Sequence, residues 1–218
     1  MGSGDTVSAL AARYGTTVQA IISANNLNSR ALIIVGQRLT IPATVTPVSN
    51  SGGSNDQLVG DTFLGRTYPS SVVAAANQNK ATLLSMDVPS RAQMQAMVRS
   101  VAVEMGVDPA LAQAIAQQES GFDARAVSPA NAVGVMQVIP SSGEWASNLV
   151  GRQLNLLDPH DNVVAGVAIL RQLLRSAPDF DTAVAGYYQG LAGVLRDGMF
   201  SDTRNYVAGI HNRMGNFS

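Results

Sequence analysis

Residues 108–121 read DPALAQAIAQQESG. Asp108 is a helix-capping residue, and Pro109 suits the first helical position, where its missing N–H costs nothing. Leu111, Ala114 and Ile115 then recur at helical spacing until Ser120-Gly121 breaks the run. The pattern predicts a core-facing helix that ends directly after Glu119. A carboxyl at that place has two readings. It is either a solvated terminal residue, the commoner fate of carboxylates, or a group whose apolar neighbours raise its pKa until it donates a proton near neutral pH. The surroundings of the helix must choose between them.

On the amino-terminal side, Ser90 and Gln93 form a capping box, and Met94, Met97, Val98, Val101 and Met105 share one face until Gly106. On the other side Asp158-Pro159 opens a helix with Val163, Val164, Val167, Leu170 and Leu174 at helical spacing. Shorter helices are expected over residues 182–194 and 203–213. Residues 43–57, ATVTPVSNSGGSNDQ, have the composition of a flexible linker. Before it stand two capped helix-like stretches, 5–14 and 17–25, the first stopped by Gly15. Leu39 and Ile41 then alternate with Arg38 and Thr40 between the Val35-Gly36 turn and Pro42, as in a short half-buried strand. Residues 58–87 are expected to be a docking arm or an extended connector.

With 218 residues, 46% of them hydrophobic and 13% charged, and a net charge of −1, the chain can bury a sizeable core. It offers no broad basic face, so neither nucleic acid nor membrane insertion is expected. The absence of cysteine excludes disulfides, Cys-ligated zinc and a thiol nucleophile, and says nothing about compartment. His160 and His211 lack metal-ligand spacing and no phosphate-cradling glycine loop occurs, so no metal or cofactor is expected. Met1-Gly2-Ser3 reads as a cloning remnant, and no charged-then-apolar leader precedes Asp5.

Two further stretches bear on Glu119. Residues 128–137, SPANAVGVMQ, suit a loop whose backbone approaches a ligand, with Gln137 offering an amide; the alternative is an ordinary loop that packs Val135 and Met136 into the core. Residues 186–190, GYYQG, place two tyrosines and a glutamine within a small-residue helix, and tyrosine suits the apolar face and polar rim of a pyranose, although one of the two is expected in the core. Tyr206 is a similar candidate. Trp145 is read as a core residue because Ala146, Leu149 and Val150 surround it.

Taken together, residues 107–217 resemble the lysozyme-like lytic transglycosylases. The resemblance rests on Glu119-Ser120, on the loop from Ser128 through Gly134-Val135-Met136-Gln137 to Pro140, on Asp158-Pro159 with Asn162 and Ala165-Gly166, and on Asp202-Thr203-Arg204 with Tyr206-Val207. It implies that Glu119 is the catalytic acid and base. It also implies that Ser128, Met136, Gln137, Tyr187, Tyr188, Gln189, Asp202 and Tyr206 contact or flank the sugar, with Tyr187 near the catalytic carboxyl. Three positions depart from the family pattern: Tyr188 replaces an asparagine, with Gln189 beside it to supply an amide, Asp202 replaces a glutamate, and Ile169 a tyrosine.

Residues 4–42 look like a LysM module, on Gly4-Asp5-Thr6, Tyr14-Gly15, Asn25-Asn26-Leu27 and the run from Ile33 to Pro42. The likeness implies glycan binding through Gly4, Asp5, Thr6, Ile33 and Ile34, in a βααβ unit lacking its first strand. The expected fold is thus mainly α, a lysozyme-like (α+β) catalytic domain over residues 88–218 behind a LysM module over 1–42, a linker over 43–57 and the segment 58–87. The implied partner is the glycan of peptidoglycan, cut between N-acetylmuramic acid and N-acetylglucosamine to leave 1,6-anhydro ends. The implied location is secreted and wall-associated, a signal peptide having been removed. Two rivals remain: a hydrolytic muramidase using Glu144 or Asp123 to position water, and a wall-binding protein that cuts nothing.

Overall fold

The computed structural model describes Asn25 and residues 39–41, 57–63 and 65–217. The chain divides into two units, Met1–Asn55 and Asp56–Ser218. In the first, both expected helices apart from Asn25, the module's proposed contacts Gly4, Asp5, Thr6, Ile33 and Ile34, and the question of its first strand lie outside the described residues. Residues 39–41, expected in a strand, belong to no described strand. Instead the Asn25 side chain takes both backbone groups of Thr40, donating from Nδ2 to its carbonyl and accepting its N–H at Oδ1, each at 2.7 Å. A side-chain amide here does what a neighbouring strand would do.

The second unit begins with a hairpin of β1 (Thr62–Phe63) and β2 (Arg66–Thr67), in which Thr62 faces Thr67 and Phe63 faces Arg66. A helix, α1 (Ser70–Ser85), follows. Asn77 fastens the lead-in to the hairpin onto α1: it accepts the Val59 N–H and donates to the Val59 carbonyl, both at 3.0 Å. The helix is in turn held to the segment after Glu119. Lys80 donates to the Arg125 carbonyl at 2.7 Å, and Arg125 donates to the carbonyls of Leu83 and Met86 at 3.1 and 2.7 Å.

The rest of the unit is helical: α2 (Arg91–Glu104), α3 (Pro109–Ser120), α4 (Pro140–Val150), α5 (Pro159–Ser176), α6 (Phe180–Ala185), α7 (Leu191–Asp197) and α8 (Ser201–Met214). The Ser90–Gln93 capping box forms in both directions, and Asp108 and Asp158 cap α3 and α5 with Pro109 and Pro159 in the first turns. These signals fix the starts of the three helices that carry about half of the core. α3 packs between α2 and α8, and α5 against α2, α4 and α6. Met94, Val98, Leu111, Ile115, Val163, Leu170 and Ile210 are fully buried among them, each contributing roughly 1.5–3 kcal/mol on leaving water. Between α3 and α4 the chain forms a small β-like lobe, with bridges from Val133 to Val127 and to Val138.

Three elements differ from the sequence expectation. α1 and α4 were not anticipated as helices, and the helix expected over 182–194 is interrupted by a π-helical turn, Gly186–Gly190, that carries both adjacent tyrosines.

Candidate active site

Glu119 occupies the last turn of α3, which Gly121 ends in the left-handed region at φ 59°. The chain stays left-handed at Phe122, φ 64°, a conformation that costs a side-chain-bearing residue about 1–2 kcal/mol. Burial of the Phe122 ring, edge-to-face with Phe217 at 6.1 Å, offsets that cost. The other described non-glycine residues with positive φ are Asn131 and Gln137, so all three lie in the stretch just after Glu119. Backbone strain gathered in one short stretch is a mark of a working site.

The loop facing Glu119 is pinned from three helices. From α3, the Ser120 hydroxyl donates to the Val135 carbonyl at 2.9 Å. From α5, buried Asn162 donates to the carbonyls of Val133 and Leu156 and accepts the Met136 N–H at 3.0 Å. From the π turn, Tyr187 donates to the Met136 carbonyl at 2.9 Å. Glycine is required at two contacts: a Cβ on Gly134, at φ 74°, would lie 2.6 Å from Asn162, and one on Gly166 would lie 2.5 Å from Met136.

Glu119 and this loop open onto a cleft of about 1230 Å³. Burial disfavours the Glu119 charge and pushes its pKa up from 4.5 to about 7, against the hydrogen bond from Tyr206, which acts to lower it. That bond runs from Tyr206 Oη to Glu119 Oε1 at 2.5 Å. Tyr187 and Tyr206 are both held well above the ordinary phenol range by burial and by the Glu119 charge, so each is a hydrogen-bond donor across the working pH range. A carboxyl near pKa 7 is populated in both forms at neutral pH, the state needed to give a proton and then take one.

The remaining sequence candidates fall into distinct places. Ser128, Gln137, Tyr187, Tyr188, Gln189, Asp202 and Tyr206 line the cleft with Glu119. Tyr188 stacks on Tyr206 with ring centres 4.7 Å apart and donates to Asp202 at 3.2 Å. Gln137 spends its amide nitrogen on the carbonyls of Ala126 and Gly134. The Gln189 amide, expected to face sugar, instead staples the π turn to α8: it donates to Gly198 and accepts from the Phe200 N–H and the Thr203 hydroxyl. Met136 is fully buried against Gly166 and does not line the cleft; its carbonyl is the acceptor of the Tyr187 hydroxyl. Tyr187 lies beside Glu119, yet the direct hydrogen-bond partner is Tyr206.

Trp145 corrects the core expectation. It is 39% exposed and lines the cleft, while its neighbour Ala146 is the buried one. The lining also takes Gln118 from α3, Asn205 from α8, and Phe63 and Tyr68 from around the hairpin, none of which the sequence singled out. For Asn205 the signal was present, since Asp202, Asn205 and Tyr206 stand at i, i+3 and i+4 of one helix face. Neither Glu144 nor Asp123 lines the cleft; Glu144 is exposed, and Asp123 is engaged by the Arg125 N–H and by Arg91. Asp158, His160 and Asp161 bring possible ligand atoms within 4.8 Å of one another, but Asp158 caps α5 and Asp161 pairs with Arg152 at 2.6 Å.

A helical domain that sinks one carboxyl into the wall of a long open cleft, with phenol donors beside it, is equipped for acid–base work on an extended ligand. The chain belongs to the transglycosylase SLT domain family, whose model matches residues 96–206. The LysM domain model matches residues 2–42. Similar curated proteins include the membrane-bound lytic murein transglycosylase C of Mannheimia succiniciproducens, 34% identical over 132 residues, and that of Yersinia pestis, 36% identical over the same length. Each match covers 54% of this chain and 36% of the relative, so the chain spans about a third of those proteins. Among solved structures, an inactive mutant of the lytic transglycosylase Slt from Pseudomonas aeruginosa is 27% identical with a TM-score of 0.50, covering 55% of this chain and 23% of that one.

Proposed function

We propose that this chain is a peptidoglycan lytic transglycosylase that cleaves the β-1,4 bond between N-acetylmuramic acid and N-acetylglucosamine, with Glu119 as its only acid and base. The observation that carries this reading is the enclosure of Glu119. Of the aspartates and glutamates, only Glu119 and Asp202 line the cleft among the described residues, and Asp202 already accepts from Tyr188 and from the Thr203 N–H. An ordinary glycosidase needs two working carboxyls. Here the substrate supplies what a second carboxylate would.

In the proposed reaction, protonated Glu119 gives its proton to the glycosidic oxygen as the bond from that oxygen to muramyl C1 breaks. The substrate's N-acetyl group stabilises the positive charge left on C1. Ionised Glu119 then takes the proton of the muramyl C6 hydroxyl, whose oxygen bonds to C1 and closes the 1,6-anhydro ring. Glu119 ends protonated as it began, and no water is consumed. Tyr206 holds the carboxylate between the two proton transfers, while Ser128, Gln137, Tyr187 and Tyr188 position the sugar.

The same reading assigns residues 1–42 to glycan binding, 43–57 to a linker and 88–218 to catalysis. A module that holds the polymer raises its local concentration at the cleft. The protein then works outside the cytoplasm at the wall, and no described helix is long and apolar enough to cross a membrane. The test is digestion of purified sacculi with product mass analysis. Soluble products one water lighter than reducing-end muropeptides, absent with Glu119→Gln, are expected; reducing ends alone would make the enzyme a hydrolase, and binding with no soluble product would make it a wall-binding protein.

A further inference from the structure

The cleft lining holds two carboxyls, Glu119 and Asp202, and among the described residues no lysine, arginine or histidine. A neutral sugar backbone has no quarrel with such a surface. An acidic one does, since Asp202 repels any carboxylate entering beside it. The nearest compensation comes from the hairpin. Phe63 lines the cleft and is directly paired with Arg66, and residues opposite each other in an antiparallel pair project to the same face. The Arg66 side chain is exposed and makes no hydrogen bond or ion pair among the described residues. Its charge also acts on Tyr188: burial and Asp202 raise the pKa of that hydroxyl, and Arg66 works against them.

We infer that Arg66, set beside Phe63 on the hairpin, is a subsite for a carboxylate carried on the muramyl branch of the bound glycan. The inference rests on the peptidoglycan reading above and adds a specificity determinant to it. Guanidinium is suited to the task because its planar donors meet a carboxylate two at a time, and Phe63 shields one side of that contact from water. The carboxylate has two possible sources. On a strand bearing stem peptides it belongs to the peptide; on a stripped strand it is the lactyl carboxylate of the sugar itself.

Trp145 is the chain's single tryptophan and lies in the cleft, so its fluorescence reports occupancy there. In the full chain with Glu119→Gln, Trp145 fluorescence is titrated with three glycans of equal length: peptide-bearing strands, amidase-stripped strands, and chitooligosaccharide, which has the same linkage and no carboxylate. Arg66→Ala is expected to weaken binding of an acid-bearing glycan by roughly fivefold, the scale of a partly exposed ion pair, and to leave chitooligosaccharide unchanged; Arg66→Lys is expected to restore part of the loss. A loss confined to peptide-bearing strands assigns the carboxylate to the peptide, a loss confined to stripped strands assigns it to the lactyl group, and a loss on both shows that Arg66 accepts either. An equal loss on all three, or no loss on any, overturns the inference alone. A silent Trp145 with every glycan overturns it together with the peptidoglycan reading.

Discussion

The cleft contains two carboxyl–tyrosine pairs, joined through the stacked rings of Tyr188 and Tyr206, and they are built to opposite specifications. In one, Glu119 is half-buried, burial disfavours its charge, and it takes a 2.5 Å hydrogen bond from Tyr206. In the other, Asp202 is exposed on the first turn of α8, accepts the Thr203 N–H, and takes a looser bond of 3.2 Å from Tyr188. The residue types are nearly the same. What separates them is solvent, and solvent decides whether a carboxyl is a proton carrier or a fixed negative charge.

The comparison breaks most sharply in turnover. Glu119→Gln is expected to lower kcat on sacculi by about 10³-fold or more, since it removes both proton transfers, whereas Asp202→Asn should stay within about tenfold and act mainly through KM. Equal losses from the two substitutions, measured as soluble product per unit time, would show that the cleft runs on two carboxyls after all.

A smaller effect is expected in stability. Because burial raises the folded pKa of Glu119 from 4.5 to about 7, the group favours folding most where it is protonated in both states, below about pH 4.5, and this contribution is lost as pH rises through 7. Glu119→Gln should therefore match the wild type near pH 4 and exceed it above pH 8 by up to about 3 kcal/mol in urea unfolding. An advantage that did not grow with pH would mean that Glu119 is solvated.

The smallest expected effect separates the two tyrosines. The Tyr206 hydroxyl lowers the Glu119 pKa, so Tyr206→Phe should move the alkaline limb of the rate profile upward and cost on the order of tenfold in kcat. Tyr188→Phe, which leaves that hydroxyl in place, should shift the limb far less. A downward shift in Tyr206→Phe would contradict the assigned hydrogen bond.

How much of this was legible in the sequence follows from where the signals lie. α2, α3 and α5 announce themselves because each has a capping side chain and a one-sided apolar repeat. α1 and α4 lack a capping side chain, α1 buries only Val73, Ala76 and Leu83 along 16 residues, and the buried face of α4 is made of the small residues Gly143, Ala146 and Ser147. Glu119 was readable from a helix end, but the pair it forms with Tyr206 spans 87 residues and belongs to the packing of α3 on α8. Trp145 was misread because its apolar neighbours were taken to share its surroundings; Ala146 is in the core, whereas Leu149 stands with Trp145 in the cleft. That Gln189, a cleft residue, also holds the π turn to α8 was not legible, because nothing local reveals that the turn needs a staple. The hairpin was silent, since strands of two residues carry no period.

The central claim is that enclosure alone makes Glu119 the proton carrier of the cleft. Its most direct test is the titration of the Glu119 side-chain carboxyl carbon by NMR in the uniformly labelled protein, assigned by its loss in Glu119→Gln. A midpoint near 7 is expected; a midpoint at the ordinary glutamate value of about 4.3 would contradict the account.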